Sequence, residues 1–177
     1  MALTLSPSGS HVRVRTFAEG MLARLAHDLE LEWPVAEGHA DLASGEASVR
    51  IDADAVTVLG AKKGRHVDLG ALSVSDREEI KRRLLGSIGA DRGNGVIVAN
   101  IKIASGRSKV AKVEIALACG RATTDADVEM SEHDGTTRVT GSLTLSLRAL
   151  GVPEIKGPLG AFRLKDRIEL AFAAELR

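Results

Sequence analysis

The most regular feature of the sequence is an alternation of apolar and polar residues, strongest towards the C-terminus. In residues 138–148 one face carries Val139, Gly141, Leu143, Leu145 and Leu147, and the other face carries Arg, Thr and Ser residues. A long run with a period of two predicts a strand with one buried face. The same pattern, weaker in places, recurs in segments 11–17, 28–35, 47–53, 55–59, 96–103, 110–119, 122–130 and 167–176.

One segment near the middle of the chain follows a helical pattern instead. Ser75 and Glu78 have the spacing of a capping box, and Gly86 or Gly89 is suited to end the helix. A second, shorter helical turn is expected at Glu19–Ala26. Neither helix is long enough to form a layer of its own, so we expect both to cap a sheet.

The strand pattern also predicts the fold class. Roughly eight to ten one-sided strands, joined by short connections, form either a sandwich or a closed barrel. Closure removes the exposed edges that long strands would otherwise present. We therefore expect an all-β, antiparallel, lipocalin-like barrel of about eight strands with one or two short capping helices, built as a single domain over residues 1–177.

Composition narrows the classes of function. Hydrophobic residues make up 44% of the chain, which is enough to build a core and excludes wholesale disorder. The 24 basic residues balance the 24 acidic ones, so no overall positive field attracts nucleic acid, and we expect no nucleic-acid partner. With three Phe, one Trp and no Tyr, the expected interior is largely aliphatic.

An aliphatic interior leaves two alternatives. A barrel of this size is either filled by its own side chains or wide enough to hold one small ligand. Small residues in the middle of apolar faces, Gly141 and Ala174, favour free space. The sequence pattern alone leaves both alternatives open.

Signals of catalytic and metal chemistry are weak. The only cysteine is Cys119, so an intramolecular disulfide or a multi-cysteine zinc site is excluded within one chain. The histidines form no H-x-H or H-x-x-x-H pair, and there is no G-x-S-x-G motif. His27 and Asp28 are strand neighbours that point to opposite faces, which argues against a dyad. We expect no metal, no cofactor and no enzymatic activity.

The N-terminal residues and the basic residues of the helix bear on localisation and partners. The N-terminus lacks a basic region followed by a long apolar run, so we expect a cytoplasmic protein. A transient membrane-surface contact, made by Arg77, Lys81, Arg82 and Arg83 of the helix, is left open, as is a homodimer.

Four features of the sequence, in order, resemble the YceI-like family of lipid-binding proteins. They are Ser10–Val14, Leu25–Leu29 with the strand that follows, Leu72–Glu79 with its helix, and Val139–Leu145 followed by Gly157–Arg163 and the last strand. The resemblance covers nearly the whole chain. It implies an elongated antiparallel barrel whose apolar tube carries or stores an isoprenoid, an isoprenoid quinone or a fatty acyl chain, without catalysis.

The residues expected to face the interior, and in this interpretation to contact the lipid, come from the best alternating strands. They are Val14, Leu31, Trp33, Val113, Ile115, Leu117, Leu143, Leu145, Leu147, Ile168, Leu170 and Phe172. Trp33 is expected to stack on the ligand or to close one end of the tube. Polar groups expected at the mouth, where a headgroup would be selected, are His27, Asp28 and Arg163. A turn histidine bonded to backbone is the competing interpretation of His27. The competing function is a non-catalytic interaction module with a filled core.

Overall fold

The structure is a computed structural model that describes residues 2–20, 27–91, 95–103 and 109–177. Within these ranges the chain forms one α-helix, α1 (Val74–Ser87), and thirteen strands. The strands are β1 (Ala2–Thr16), β2 (Ala18–Glu19), β3 (Asp28–Pro34), β4 (Glu37–Asp41), β5 (Glu46–Asp52), β6 (Thr57–Lys63), β7 (His66–Asp68), β8 (Val96–Ile103), β9 (Val110–Leu117), β10 (Gly120–His133), β11 (Thr136–Ser146), β12 (Arg163–Leu164) and β13 (Arg167–Leu176).

Eight strands close into an antiparallel barrel, which confirms the expected fold class. Their order is β13-β11-β10-β9-β8-β5-β4-β1, and β1 pairs with β13 to close the ring. The closing pairing is long: Val12 lies opposite Phe172 and Arg15 lies opposite Glu169. Because the ring is complete, each of these eight strands is paired with a neighbour on both sides.

The long strand β1 organises one side of the barrel. Near its N-terminus it pairs with β4, where Ala2 lies opposite Asp41. Near its C-terminus it pairs instead with β3, where Thr16 lies opposite Leu29. From there β3 pairs with β6, and β6 pairs with β7. A short second sheet pairs β2 with β12.

The strands lie where the alternation of apolar and polar residues predicts them, except where the sequence is largely polar. Strand β8 lies at the predicted residues, whereas β1 begins at Ala2, well before the predicted segment. Its first residues are rich in Ser and include a Pro and a Gly, so they carry no alternating signal. Pairing with β4 and β13 makes them a strand. At the other end of the chain β11 stops at Ser146, so Leu147 lies in a turn.

The helix is where it was expected, but the predicted cap at Ser75 is wrong. The N-cap residue is Ser73, whose Oγ accepts a hydrogen bond from the backbone N–H of Asp76 at 3.1 Å. The Asp76 carboxylate in turn accepts from the Ser73 N–H at 2.9 Å, which completes a capping box. At the third helical position Asp76 takes the place of the usual Glu. The capping box begins at Ser73, two residues before the predicted one.

The helix ends at a glycine in the left-handed region. Gly89 has a φ of +75°, and the N–H of Ala90 donates to the carbonyl of Leu85 at 2.8 Å. The Gly89 N–H donates to the Gly86 carbonyl at 3.3 Å, so the pair of bonds is a Schellman motif. Gly86, the other candidate, lies inside the helix.

The second predicted helical turn at Glu19–Ala26 is only partly within the described residues. Glu19 belongs to β2, where it lies opposite Arg163, so the turn does not begin there. Residues 21–26 lie outside the described residues.

Candidate functional site

The interior of the barrel contains a cavity of about 500 Å³. All twelve residues expected to face inwards line this one cavity. Its size lies within the roughly 300–1,000 Å³ typical of small-molecule sites. A cavity of this size favours the ligand-holding alternative over a core filled by side chains. Contact of these residues with a lipid stays a prediction.

The cavity is also lined by residues that were not among the twelve. Many of them lie on strands whose alternation of apolar and polar residues is weaker. On β8 the alternate residues Ile97, Ala99, Ile101 and Ile103 all line the cavity. Further contributions come from β4 and β5, which carry Ala40, Val49 and Ile51 among others. The lining side chains are mostly aliphatic and include several alanines, and they leave an open space between them.

Trp33 forms part of the cavity wall. Its side chain is buried and lies on β3 opposite Val12 of β1. The indole Nε1–H donates to the backbone carbonyl of Ala53 at 3.0 Å, so its polar atom is satisfied by the protein. The ring is thereby fixed in orientation, with apolar surface available to the cavity.

Gly141 does not provide free space for a ligand, contrary to the sequence interpretation. A Cβ atom built on Gly141 would clash with Cζ of Phe172 and with the Asp127 carbonyl oxygen. Gly141 and Phe172 lie opposite each other on β11 and β13. The glycine therefore makes room for the Phe172 ring.

The two ends of the cavity differ, and one of them is exposed to solvent. At this end, which we call the open end, the cavity is lined by the β4–β5 turn, residues 42–45. Leu42 in this turn is 46% exposed, and Met130 on β10, which also lines the cavity, is 54% exposed. Most polar lining residues lie near it: His39, Asp41, Ser44 and Glu46.

The opposite end, which we call the closed end, is covered by the segment 147–164 and the C-terminal turn of α1. Leu150 and Val152 of this segment are 3% and 5% exposed, and Ile88 after the helix is 7% exposed. All three line the cavity, together with Leu147, Ile155, Leu164 and Leu84. Gly89 lies against Ala118 in the β9–β10 turn, which places the end of the helix here.

The structure does not bring the three predicted mouth residues to the cavity. His27 is exposed, and the Asp28 carboxylate accepts a hydrogen bond from the Ala18 N–H at 2.9 Å. Arg163 forms ion pairs with Glu19 at 2.7 Å and Glu154 at 3.3 Å. The hydrogen bond that Arg163 donates to the Glu19 carboxylate is the main reason why the pKa of Arg163 is raised. None of the three lines the cavity. They lie beyond the C-terminal end of β1, near the closed end.

Two polar lining residues on β1 were not predicted. His11 lines the cavity near the middle of the strand, and Thr16 lines it at the strand's C-terminal end. Thr16 did carry a signal, because Val12, Val14 and Thr16 share one face of the alternation. Thr16 therefore places a hydroxyl on the same strand face as these two apolar residues.

The helix cations considered for membrane contact are mostly engaged within the protein. The Arg77 guanidinium donates to the backbone carbonyls of Val58, Leu59 and Leu69. Arg82 and Arg83 both pair with Glu79. The described ranges contain no helix that is long and apolar enough to cross a membrane. They also contain no cluster of three or more His, Cys, Asp or Glu residues arranged to hold a metal ion.

Comparison with known proteins gives matches to solved structures only. No protein-family model and no curated protein sequence matches the chain. A polyisoprenoid binding domain from Saccharophagus degradans, implicated in plant cell wall breakdown, matches with a TM-score of 0.64 and 10% identity, over 99% of this chain and 97% of that one. BcnA from Burkholderia cenocepacia matches with a TM-score of 0.56 and 16% identity, over 97% and 98% of the two chains. These likenesses show the fold. The resemblance inferred from the four sequence features is thereby confirmed at the level of the fold.

Proposed function

We propose that this protein is a YceI-like lipid-binding protein, which holds one long-chain apolar lipid in its barrel and carries or stores it without catalysis. The candidate ligands are an isoprenoid, an isoprenoid quinone or a fatty acyl chain. The observation that carries the proposal is the apolar cavity of about 500 Å³ inside the closed ring of strands. The polyisoprenoid-binding role of the Saccharophagus degradans domain, which shares the fold, supports the choice of ligand class.

The energetics of such a cavity suit a hydrocarbon chain. Burial of each methylene group gains roughly 0.8 kcal/mol, so a chain of about ten to fifteen carbons gains about 8–12 kcal/mol before costs. Loss of translational and chain freedom consumes at least several kcal/mol of that gain. The remainder is enough for firm binding by apolar contacts alone.

The first experiment is mass spectrometry of an organic extract from the natively purified protein. We expect an isoprenoid or acyl species in a ratio approaching one molecule per chain. An empty extract, together with no change of Tm on addition of a long-chain quinone, a polyprenol or a fatty acid, would contradict the proposal. That result would favour the interaction module as the function.

A matched pair of substitutions tests whether the cavity is the binding site. Ala99 lies on the inner face of β8 and lines the cavity, whereas Ala116 lies on the outer face of β9 and does not. Ala99→Phe places a ring in the open space, so it should reduce the bound lipid severalfold and leave Tm unchanged or higher. Ala116→Phe should retain the lipid.

The same pair distinguishes a hollow from a filled barrel. If the interior were packed, Ala99→Phe would overpack it and lower the free energy of unfolding by about 1–3 kcal/mol. Equal lipid content in the two variants would place the ligand elsewhere on the protein.

A further inference from the structure

Within the part of the chain that the structure describes, the hydroxyl of Thr16 is a buried polar group without a partner. The residue is 7% exposed, and its Oγ1 has no hydrogen-bond partner among the residues that the structure describes. Most buried hydroxyls in folded proteins are hydrogen-bonded, because an unpaired one loses its bonds to water without compensation. Thr16 is also one of the residues that line the barrel cavity, so it lies against whatever occupies that space.

The surroundings of Thr16 are apolar. On one neighbouring strand Leu29 lies opposite it, and Val14 precedes it on the same inward face. The closed-end residues Ile155 and Leu164 line the same cavity. The other polar lining residues lie further along: His11 is five positions away on β1, roughly 16 Å at the usual rise per residue, and the rest lie near the β4–β5 turn.

The charge of the lining bears on the ligand's polar end. Among the described residues that line the cavity there is no Lys or Arg, and the carboxylates present are Asp41 and Glu46 at the open end. An ionised group placed at the closed end would lose its hydration without meeting an opposite charge, which is costly. A neutral oxygen would lose far less and would gain one hydrogen bond.

From this arrangement we infer that Thr16 recognises the polar end of the bound lipid, and that this end is a neutral oxygen. The inference rests on the proposed function and sharpens it. The ligand class is then a polyprenol or an isoprenoid quinone, not a carboxylate or a diphosphate. Its oxygen lies at the closed end beside Thr16 Oγ1, and its hydrocarbon chain extends towards the open end.

The test is the isosteric substitution Thr16→Val, measured with four probes on the purified, lipid-free protein. The probes are geranylgeraniol, the saturated hydrocarbon phytane, which shares its carbon skeleton but has no hydroxyl, geranylgeranyl diphosphate and palmitate. Thr16→Val removes one neutral hydrogen bond, so the Kd for geranylgeraniol should rise about two- to twelvefold. The Kd for phytane should stay the same. The unsubstituted protein should bind geranylgeraniol more tightly than either anion.

A second readout separates recognition from a structural role. Because the hydroxyl has no partner among the described residues, its removal should raise the Tm of the lipid-free protein. A hydroxyl that stabilised the fold would give the opposite sign. Thr144→Val is the matched control, since Thr144 is exposed on the outer face of β11, and it should change neither the Kd for geranylgeraniol nor that for phytane.

The outcomes distinguish this inference from the function on which it rests. If phytane and geranylgeraniol both bind but Thr16→Val changes neither Kd, or if an anion binds best, the role of Thr16 is refuted and lipid binding stands. If none of the four probes binds, the proposed function itself fails.

Discussion

The open end and the closed end of the barrel differ in how far their lining residues are exposed to solvent. At the open end the turn between β4 and β5 exposes Leu42 to solvent beside polar residues. At the closed end Leu150 and Val152 are buried beneath a long connection, and α1 contributes Leu84 and Ile88. One end is therefore exposed to solvent, whereas the other end is closed by buried apolar side chains.

This difference bears on how a barrel that contains open space is stabilised. An empty apolar interior forfeits packing energy along the middle of the barrel. The closed end concentrates the dense packing instead, with the Schellman turn after α1 lying against the β9–β10 turn. We therefore expect the stability of the protein to depend far more on the closed end than on the open end.

The largest expected effect comes from the same substitution made at each end. Leu150→Ala removes a side chain that is 3% exposed, and we expect it to lower the free energy of unfolding by about 2–5 kcal/mol. Leu42→Ala removes one that is 46% exposed, and its effect should stay within about 0.5 kcal/mol. Urea denaturation measures both. Equal losses would remove the distinction between the ends.

A smaller effect is expected from the cap of α1. Ser73→Ala breaks the capping box and should cost about 1 kcal/mol of unfolding free energy. Ser75→Ala is the control, because Ser75 lies within the first turn and has no capping role. If Ser75→Ala were the more harmful of the two, the sequence-based position of the cap would be right after all.

The smallest effect concerns pH and the connection that covers the closed end. The Asp166 carboxylate accepts hydrogen bonds from the Arg148 N–H at 2.8 Å and from Ser146 Oγ at 2.7 Å, and these bonds lower the pKa of Asp166 below 3.8. Because the pKa is lower in the folded state, the stabilisation is complete above pH 3.8 and is lost as the pH falls through the folded-state value.

Asp166→Asn should therefore lower Tm at neutral pH and weaken the dependence of Tm on pH in the acid range. Asp127→Asn, at an exposed position on β10, serves as the control in the same series of thermal melts. An unchanged acid profile in Asp166→Asn would mean that the connection is held by its apolar contacts alone.

Alternation along the chain predicted the strands and their inward face, and the removal of exposed edges by closure then favoured the barrel over a sandwich. Alternation worked for β8 and β11 because a one-sided strand must place its apolar residues on the buried side. It failed for β1 before His11 and for β4, where polar residues become strands only through their partners. Such pairing depends on strands that are distant in the sequence, so a short segment of the sequence does not predict it.

The chemistry of the cavity was harder to predict than its walls. His27, Asp28 and Arg163 were expected at the mouth as polar groups that could select a headgroup, but none of them lines the cavity. Thr16 is the more informative residue, and its place on the face shared with Val14 was visible in the sequence. Its lack of a partner among the described residues follows from how the strands are arranged in space, so three-dimensional information was needed.

The wall position of Trp33 gives the protein an intrinsic optical reporter. The chain contains one Trp and no Tyr, so its near-ultraviolet emission comes from a single indole that borders the cavity. The bond from Nε1 to Ala53 restrains the ring, and its fluorescence should respond chiefly to the contents of the barrel. A quinone that enters would quench the emission, whereas a saturated chain would only shift it, so occupancy can be followed without any attached dye.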